Sequence, residues 1–431
     1  MSDATPSISP PAVARPAADS ALLAVFAAAL FASAFLLFSV QPLVSRSVLP
    51  RLGGSPAVWN TCVCFFQAAL LLGYGYAHLS AASLPPRAQA ALHAAVLAAG
   101  LALMPLSLGW DAPAAGDSPV GWLLARLFLG VGLPFVAIAA TAPMLQVWFA
   151  RTSHPRASDP YFLYAASNVG SLSALLGYPL LVETTLGLSD QARYWSAGFA
   201  ATAAAVLACG VSAARRGVPA EAVRAPAPAE TVPAAERFRW LALAFVPSAL
   251  MLAVTTHITT DVAAAPLFWM APLAVYILTF VLAFARRPLL RTRALLLPQW
   301  LALAAAGIVG VAGTGGLGGA AKAGFFLVPL AAFALTAAVC HAELAERRPA
   351  VRHLTAYFFL ISVGGALGGL FNALLAPVLF PLPLEYPLLL VAACLLRPGG
   401  VRPPAWAAAL WGGRARSAFP ASVAALSSAV L

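Results

Sequence analysis

The sequence predicts an all-α bundle of about twelve membrane-spanning helices, arranged as two six-helix halves in parallel repeat. Three observations carry this expectation. The chain is 61% hydrophobic and 9% charged, whereas a soluble domain carries about a quarter charged residues. Apolar windows of about 20 residues, enough to cross a bilayer as helix, recur along its length. Short blocks of the first half also return in the second.

The elements follow in order. Residues 1–20, rich in Pro, Ala and Ser, read as a disordered tail. The first apolar run ends in "QPLVSR" without a small-residue cleavage site, so it reads as a retained span and not a signal peptide. Spans are expected near 21–43, 56–80, 88–108, 119–148, 161–182, 192–213, 238–258, 266–285, 294–313, 322–343, 356–380 and 384–397. The charged Pro/Ala stretch at 214–237 is a linker. It separates a first half, 21–213, from a second, 238–397, and residues 398–431 form a C-terminal tail.

Orientation follows from the basic residues, because translocated loops exclude Lys and Arg. Twenty arginines fall on the side of the N-terminus, against Arg46, Arg51, Arg193 and Lys322 in the opposite loops. Both termini are therefore expected in the cytoplasm, with the protein multi-pass in a bacterial inner membrane. Lys322 is the one lysine among 25 basic residues. We read that preference as the codon bias of a GC-rich bacterium, so the net charge of +11 is no nucleic-acid footprint. The lipid bilayer is an expected partner and nucleic acid is not. The five cysteines all lie in apolar runs, with spacing that fits neither a zinc site nor a disulfide framework.

The repeat is legible in three places. "TAPMLQVWFA" at 141–150 aligns with "TAAVCHAELA" at 336–345, an offset of 195, and each precedes a basic loop. A Tyr-Phe helix start follows, as "YFLYAASNVGSL" at 161 and "YFFLISVGGAL" at 357. "SPAVW" at 55–59 matches "APLFW" at 265–269. A parallel six-plus-six repeat is the arrangement of the major facilitator fold, with solute sites between the halves near the midplane.

Polar groups inside such a bundle are the candidate site. Asn60, Cys64, Gln67, Leu71, Tyr74 and His78 recur at spacings of four and three, which places them on one helix face. Tyr161, Tyr164, Asn168 and Ser171 form a second stripe, with Tyr357, Gly364, Gly368 and Asn372 as its counterpart. Two readings stand for the polar members. They are interhelical hydrogen bonds of about 1 kcal/mol each, or they line a solute path; the glycines read as packing positions. In "TTHITTDVAAAP", His257 and Asp261 are four apart and share a face if the helix continues. A charge at membrane depth either pairs or faces water. Arg46 and Asp261 are thus an expected pair across the halves at the outer end of the cavity, with exposed, unpaired loop charges as the alternative. Glu183 and Glu385 would add acidic character suited to a cation. The expected path is Arg46, Asn60, Gln67, Asn168, His257, Asp261 and Asn372, with His257 and Asp261 as proton carriers.

No catalytic constellation is visible. "GTGGLG" at 313–318 satisfies a nucleotide-turn pattern, but it joins two spans and lacks the strand that gives the pattern meaning. His341, Glu343, Glu346 and His353 lack metalloprotease spacing and read as the polar end of a span. No cofactor or metal is expected.

The blocks "QPLVSRSVLPRLGGSPAVWNTCVCFFQAALLLGYGYAHL", "THITTDVAAAPLFWMAPLAVYILTFVLAF" and "HLTAYFFLISVGGALGGLFNALLAPVLFPLPLEYPLLLVAACLLRP" resemble the membrane part of bacterial fused proteins. In these, major-facilitator-like spans are joined to a spermidine-synthase-like domain. The resemblance covers about 21–397. It implies a Rossmann-like domain of the aminopropyltransferase or methyltransferase type downstream, whereas residues 398–431 show no strand-helix alternation and no glycine-rich turn. Polyamine synthesis is therefore not expected of these residues. A natural membrane-only form, a frameshifted product and one piece of a split pair all stand as accounts. Two functions remain expected: a secondary transporter of a small polar or amine-bearing solute, polyamines among the candidates, or a membrane scaffold for a separately encoded synthase-like enzyme.

Overall fold

The computed structural model describes residues 16–52, 56–106, 111, 113, 118–216, 231–261, 266–285, 289–312, 319–380 and 384–397. They form helical rods α1 (Pro16–Leu52), α2 (Pro56–Ser83), α3 (Pro86–Ala102), α4 (Pro119–Ala150), α5 (Pro160–Thr185) and α6 (Leu188–Arg216). The second half supplies α7 (Ala234–Asp261), α8 (Pro266–Ala283), α9 (Thr292–Ala312) and α10 (Gly319–Glu346). It ends with α11 (Leu354–Leu370, continued by a π turn into Ala376–Leu379) and α12 (Glu385–Leu395). Among the described residues nine helices are long and apolar enough to cross a membrane, and Ala271–Ala283 and Glu385–Leu395 are shorter apolar helices.

The starts of these rods are chemically marked. Proline opens α1, α2, α3, α4, α5 and α8, where its missing N–H and fixed φ cost nothing. Ser118 also caps α4, its hydroxyl oxygen accepting from the Gly121 amide at 3.3 Å. Three rods widen into π turns at Phe128–Gly132, Tyr178–Val182 and Phe371–Leu375. Pro134, Pro179 and Pro377 lie in or just after these turns, and each removes one ladder bond there.

The first rod differs from expectation at both ends: it begins at Pro16, within the stretch read as a disordered tail, because a proline readily opens a helix. The first rod does not end near residue 43 but continues to Leu52, so Arg46 and Arg51 sit on a helix and not in a loop. Beyond Pro42 two side chains bond back onto the rod: the Ser47 hydroxyl donates to the Val44 carbonyl at 2.7 Å, and Arg51 donates to the Ser47 carbonyl. α7 likewise runs through His257 to Asp261, so these two do lie four apart on one helix.

The packing repeats itself under a shift of six helices. α1 packs on α5 as α7 does on α11, α2 on α4 as α8 on α10, α3 on α4 as α9 on α10, and α1 on α6 as α7 on α12. The contacts between halves obey the same shift, α2 meeting α11 and α5 meeting α8. The repeat reaches single residues. Thr141 and Thr336, 195 apart and both fully buried, each meet a polar side chain of the preceding rod. His93 Nε2 stands 3.3 Å from Thr141 Oγ1, and Gln299 Nε2 donates to Thr336 Oγ1 at 3.5 Å.

Each half has its own apolar core, the first around Phe26, Phe135 and Phe149, the second around Leu250, Phe333 and Leu389. A third cluster mixes Val147 and Tyr161 of the first half with Trp240, Phe280, Phe284, Tyr357 and Phe358 of the second. It lies toward the bundle face on which α1 begins, the face that carries most of the arginines.

Candidate functional site

The site is the seam between the halves, built by α2 and α5 on one side and α8 and α11 on the other. Near the arginine-rich face it is filled by rings. Tyr161 meets Tyr357 edge to face at 5.9 Å, and Tyr164 packs on Phe358 at 4.8 Å and on Phe284 at 5.2 Å. His78 stacks on Phe359 at 5.8 Å while its Nδ1 lies 3.0 Å from Thr355 Oγ1. Two polar links close the rim: the Tyr161 hydroxyl donates to the Pro349 carbonyl at 2.8 Å, and Arg348 pairs with Asp159 at 3.1 Å. Arg348 also lies over the Tyr161 ring, 5.6 Å from its centroid. At this face the seam is shut.

Tyr74 of α2, Tyr164 of α5 and Tyr276 of α8, all half-buried, pack against the apolar cluster shared by the two halves. Tyr276 packs edge on to His341 at 4.9 Å. His341 itself is fully buried, with Nδ1 2.8 Å from Thr279 Oγ1 and Nε2 without a partner. It is thus an interior residue and not part of a polar helix end. Glu343, also expected at such an end, is 2% exposed. It is neutralised by Arg239, which donates from Nε and Nη2 at 2.9–3.1 Å, and by Arg347 at 2.8 Å. Arg347 reaches on to Glu236, and Arg239 to the Leu396 carbonyl, so one network ties α7, α10 and the end of α12.

The expected path residues divide. Gln67 sits at the seam, its amide against Gly369 of α11 in the space a side chain there would fill, with Oε1 buried and unpartnered. Asn168 lies one turn beyond Tyr164 on the same face of α5, 8% exposed, with its amide within reach of the Tyr164 hydroxyl. Asn372 donates to the Ala249 carbonyl at 2.9 Å, which ties α11 to α7 within the second half. His257 stacks on Tyr386 of α12 at 5.2 Å with planes 5° apart. Arg46 is held by Glu183 of its own half, Nε to Oε1 at 3.8 Å and Nη1 to the carbonyl at 3.2 Å. Those described contacts go to α5 and not to the second half, because α1 continues as helix and carries Arg46 to the outer end of α5. The side chains of Asn60 and Asp261 lie outside the described residues, as does the glycine run at 313–318.

Sequence reasoning missed the aromatic plug. Its one visible signal was the Tyr-Phe pair that opens both α5 and α11, read there as a marker of the repeat.

Comparison with solved structures fits this geometry. The human organic anion transporter MFSD10 (TETRAN) superposes with a TM-score of 0.52 at 14% identity, over 96% of this chain and 98% of that one. The fold is major-facilitator-like. The proton:xylose symporter XylE bound to 6-bromo-6-deoxy-D-glucose gives 0.51 at 12% identity, over 88% and 95%. The inward open xylose transporter XylE from E. coli gives 0.50 at 14%, over 87% and 95%. No family model matches the sequence, and no curated protein matches it. In the major-facilitator fold the seam described above is the boundary between the two six-helix units.

Proposed function

We propose that the chain is a major-facilitator-like secondary transporter of a small polar solute in a bacterial inner membrane, with its arginine-rich face in the cytoplasm. The observation that carries this reading is the contrast between the inside of each half and the seam. Within the halves, helices interlock backbone to backbone: a side chain on Gly364 or Gly368 of α11 would strike the α7 carbonyls of Leu241 and Phe245. Across the seam the contacts are ring faces, single hydrogen bonds and an exposed ion pair, each worth about 1 kcal/mol or less. Two rigid bodies joined by separable contacts are what alternating access by rocking requires. The conformation described is closed at the arginine-rich face.

The resemblance to fused synthase-like proteins supports an amine as solute, with Asp261 as its counter-charge. Glu183, one of the two further acids expected to favour a cation, is engaged by Arg46. The scaffold role is the competing outcome.

The test is uptake into proteoliposomes of labelled putrescine, D-gluconate and D-glucose. It compares the wild type with a doubly substituted Asp159→Cys, Arg348→Cys protein whose new disulfide locks the seam. Uptake of one solute, abolished by oxidation and restored by a reductant, supports transport. No uptake of any of them by folded protein moves the reading to the scaffold.

A further inference from the structure

We propose that the first half carries a site of its own, away from the seam: a cleft on its membrane-facing flank that takes a small phenol dissolved in the bilayer, with the phenol hydroxyl donating to His93. This inference does not rest on the transport reading. Three observations converge.

The first is a cavity. A cleft of about 210 Å³ lies between Ala94 of α3, Trp148 of α4 and Gly210 of α6. Leu207 and Val211 also line it and are 45% and 51% exposed, so on a membrane rod they form a mouth that opens to lipid.

The second is an acceptor in that cleft. His93 lines it and is fully buried, and among the described residues its Nδ1 has no partner. The other ring nitrogen is engaged. Thr141 gives its one hydroxyl proton to the Ala137 carbonyl at 3.0 Å, so its oxygen accepts from the His93 Nε2–H at 3.3 Å. A neutral imidazole with its proton on Nε2 keeps Nδ1 as a bare acceptor. The Tyr76 ring lies 6.0 Å away, but its hydroxyl is itself without a partner and does not fill this role. A buried acceptor at membrane depth calls for a donor. An ammonium would need a counter-charge, and no lining residue carries one. A hydroxyl needs none.

The third is size, surface and depth. An apolar cavity of about 150 Å³ takes a benzene ring. This larger one has room for a ring with a hydroxyl and a short alkyl group. Trp148 stands edge to face with His93 at 6.0 Å, and its indole N–H is already given to Gln89 Oε1 at 3.1 Å, so toward the cleft it offers aromatic surface. His93 lies seven residues beyond Pro86, about 10 Å along the rod from its arginine-rich end. That is too deep for a phospholipid headgroup, whose place is by the exposed Arg87 and Arg215 at the rod ends.

The experiment is photolabelling of the purified full chain in nanodiscs with a phenol that carries a diazirine on its ring, the labelled residues being mapped by mass spectrometry. The competitors are 4-ethylphenol and its methyl ether, 4-ethylanisole. Expected is saturable label on residues 90–97 and 206–211. 4-Ethylphenol should displace it at about one tenth of the concentration that the ether needs, the factor one net hydrogen bond supplies. Ala94→Leu, which fills the cleft, should abolish the label, whereas Ala98→Leu, at an exposed position of the same rod, should not. His93→Leu should make the two competitors equal, with its unfolding temperature measured alongside. If that variant does not fold, the competition in the wild type still decides. Label spread evenly over the lipid-facing rods would show ordinary lipid-like contact only and overturn the site. Equal displacement by phenol and ether in the wild type would overturn the role of His93.

Discussion

The Tyr161 hydroxyl donates to the Pro349 carbonyl at 2.8 Å and so joins the first turn of α5 to the loop after α10. It is one of the polar links across the seam, beside the Arg348–Asp159 pair and the His78–Thr355 contact, and it lies at the edge of the apolar cluster the two halves share. A neutral hydrogen bond contributes about 0.5–1.5 kcal/mol. Tyr161→Phe should therefore shift the balance toward a seam open at the arginine-rich face by about twofold to tenfold. A cysteine at position 355, in a chain freed of its native cysteines, should react with a maleimide faster by that factor. An unchanged rate would mean that the bond has no part in closure.

Glu343 has the opposite character. It is buried between Arg239 and Arg347, which are themselves part exposed, and a hydrogen bond to a charged group contributes about 1.5–3 kcal/mol. We expect Glu343→Gln to lower the unfolding temperature markedly. Asp159→Asn, which removes one side of an exposed pair, should hardly move it. Thermal unfolding of both variants in detergent makes the comparison.

Adjacent glycines on α11 should respond differently to the same methyl group. A Cβ on Gly364 would meet the Leu241 carbonyl, whereas one on Gly365 would meet nothing within 4 Å. Gly364→Ala should destabilise by about 1–3 kcal/mol. Gly365→Ala should be neutral or slightly stabilising. Equal melting temperatures for the two would contradict the close approach of α7 and α11.

Gly369→Ala places its methyl group where the Gln67 amide lies. That amide is the far end of a flexible side chain, so it can swing aside and the fold should persist. The contact between α2 and α11 should loosen, so that uptake changes while melting stays near normal. Uptake measured beside a melting curve separates this outcome from misfolding.

Much of the fold could be read from the chain because membrane helices announce themselves by length and hydropathy, and because Thr141 and Thr336, or Tyr161 and Tyr357, kept their places in the repeat. The end of α1 was hidden by "QPLVSRSVLP", whose prolines and arginines are loop chemistry in isolation. It is helical in the fold, where Val44 and Val48 of this stretch are fully buried in the first core. Half of the candidate site was legible for a similar reason. Gln67 and Asn168 stood out as polar residues on apolar rods, and the structure places both at the seam. Asn372 and His257 looked the same in sequence, yet they bind within their own half. One-dimensional spacing gives the face of a helix but not the neighbour it faces. The plug was invisible because Phe280, Phe284 and Phe358 cannot be told from lipid-facing residues until α8 and α11 are set against α5.

The third apolar cluster belongs to neither half alone, since Tyr161 and Val147 complete a core whose other walls are Trp240, Phe280 and Tyr357. In the proposed transport cycle each opening toward the arginine-rich face takes this core apart and each return rebuilds it. Robustness and speed are thus opposed in one set of residues. Filling the cluster more tightly should yield a hardier protein that turns over slowly, and loosening it a faster one that spends more of its life half undone.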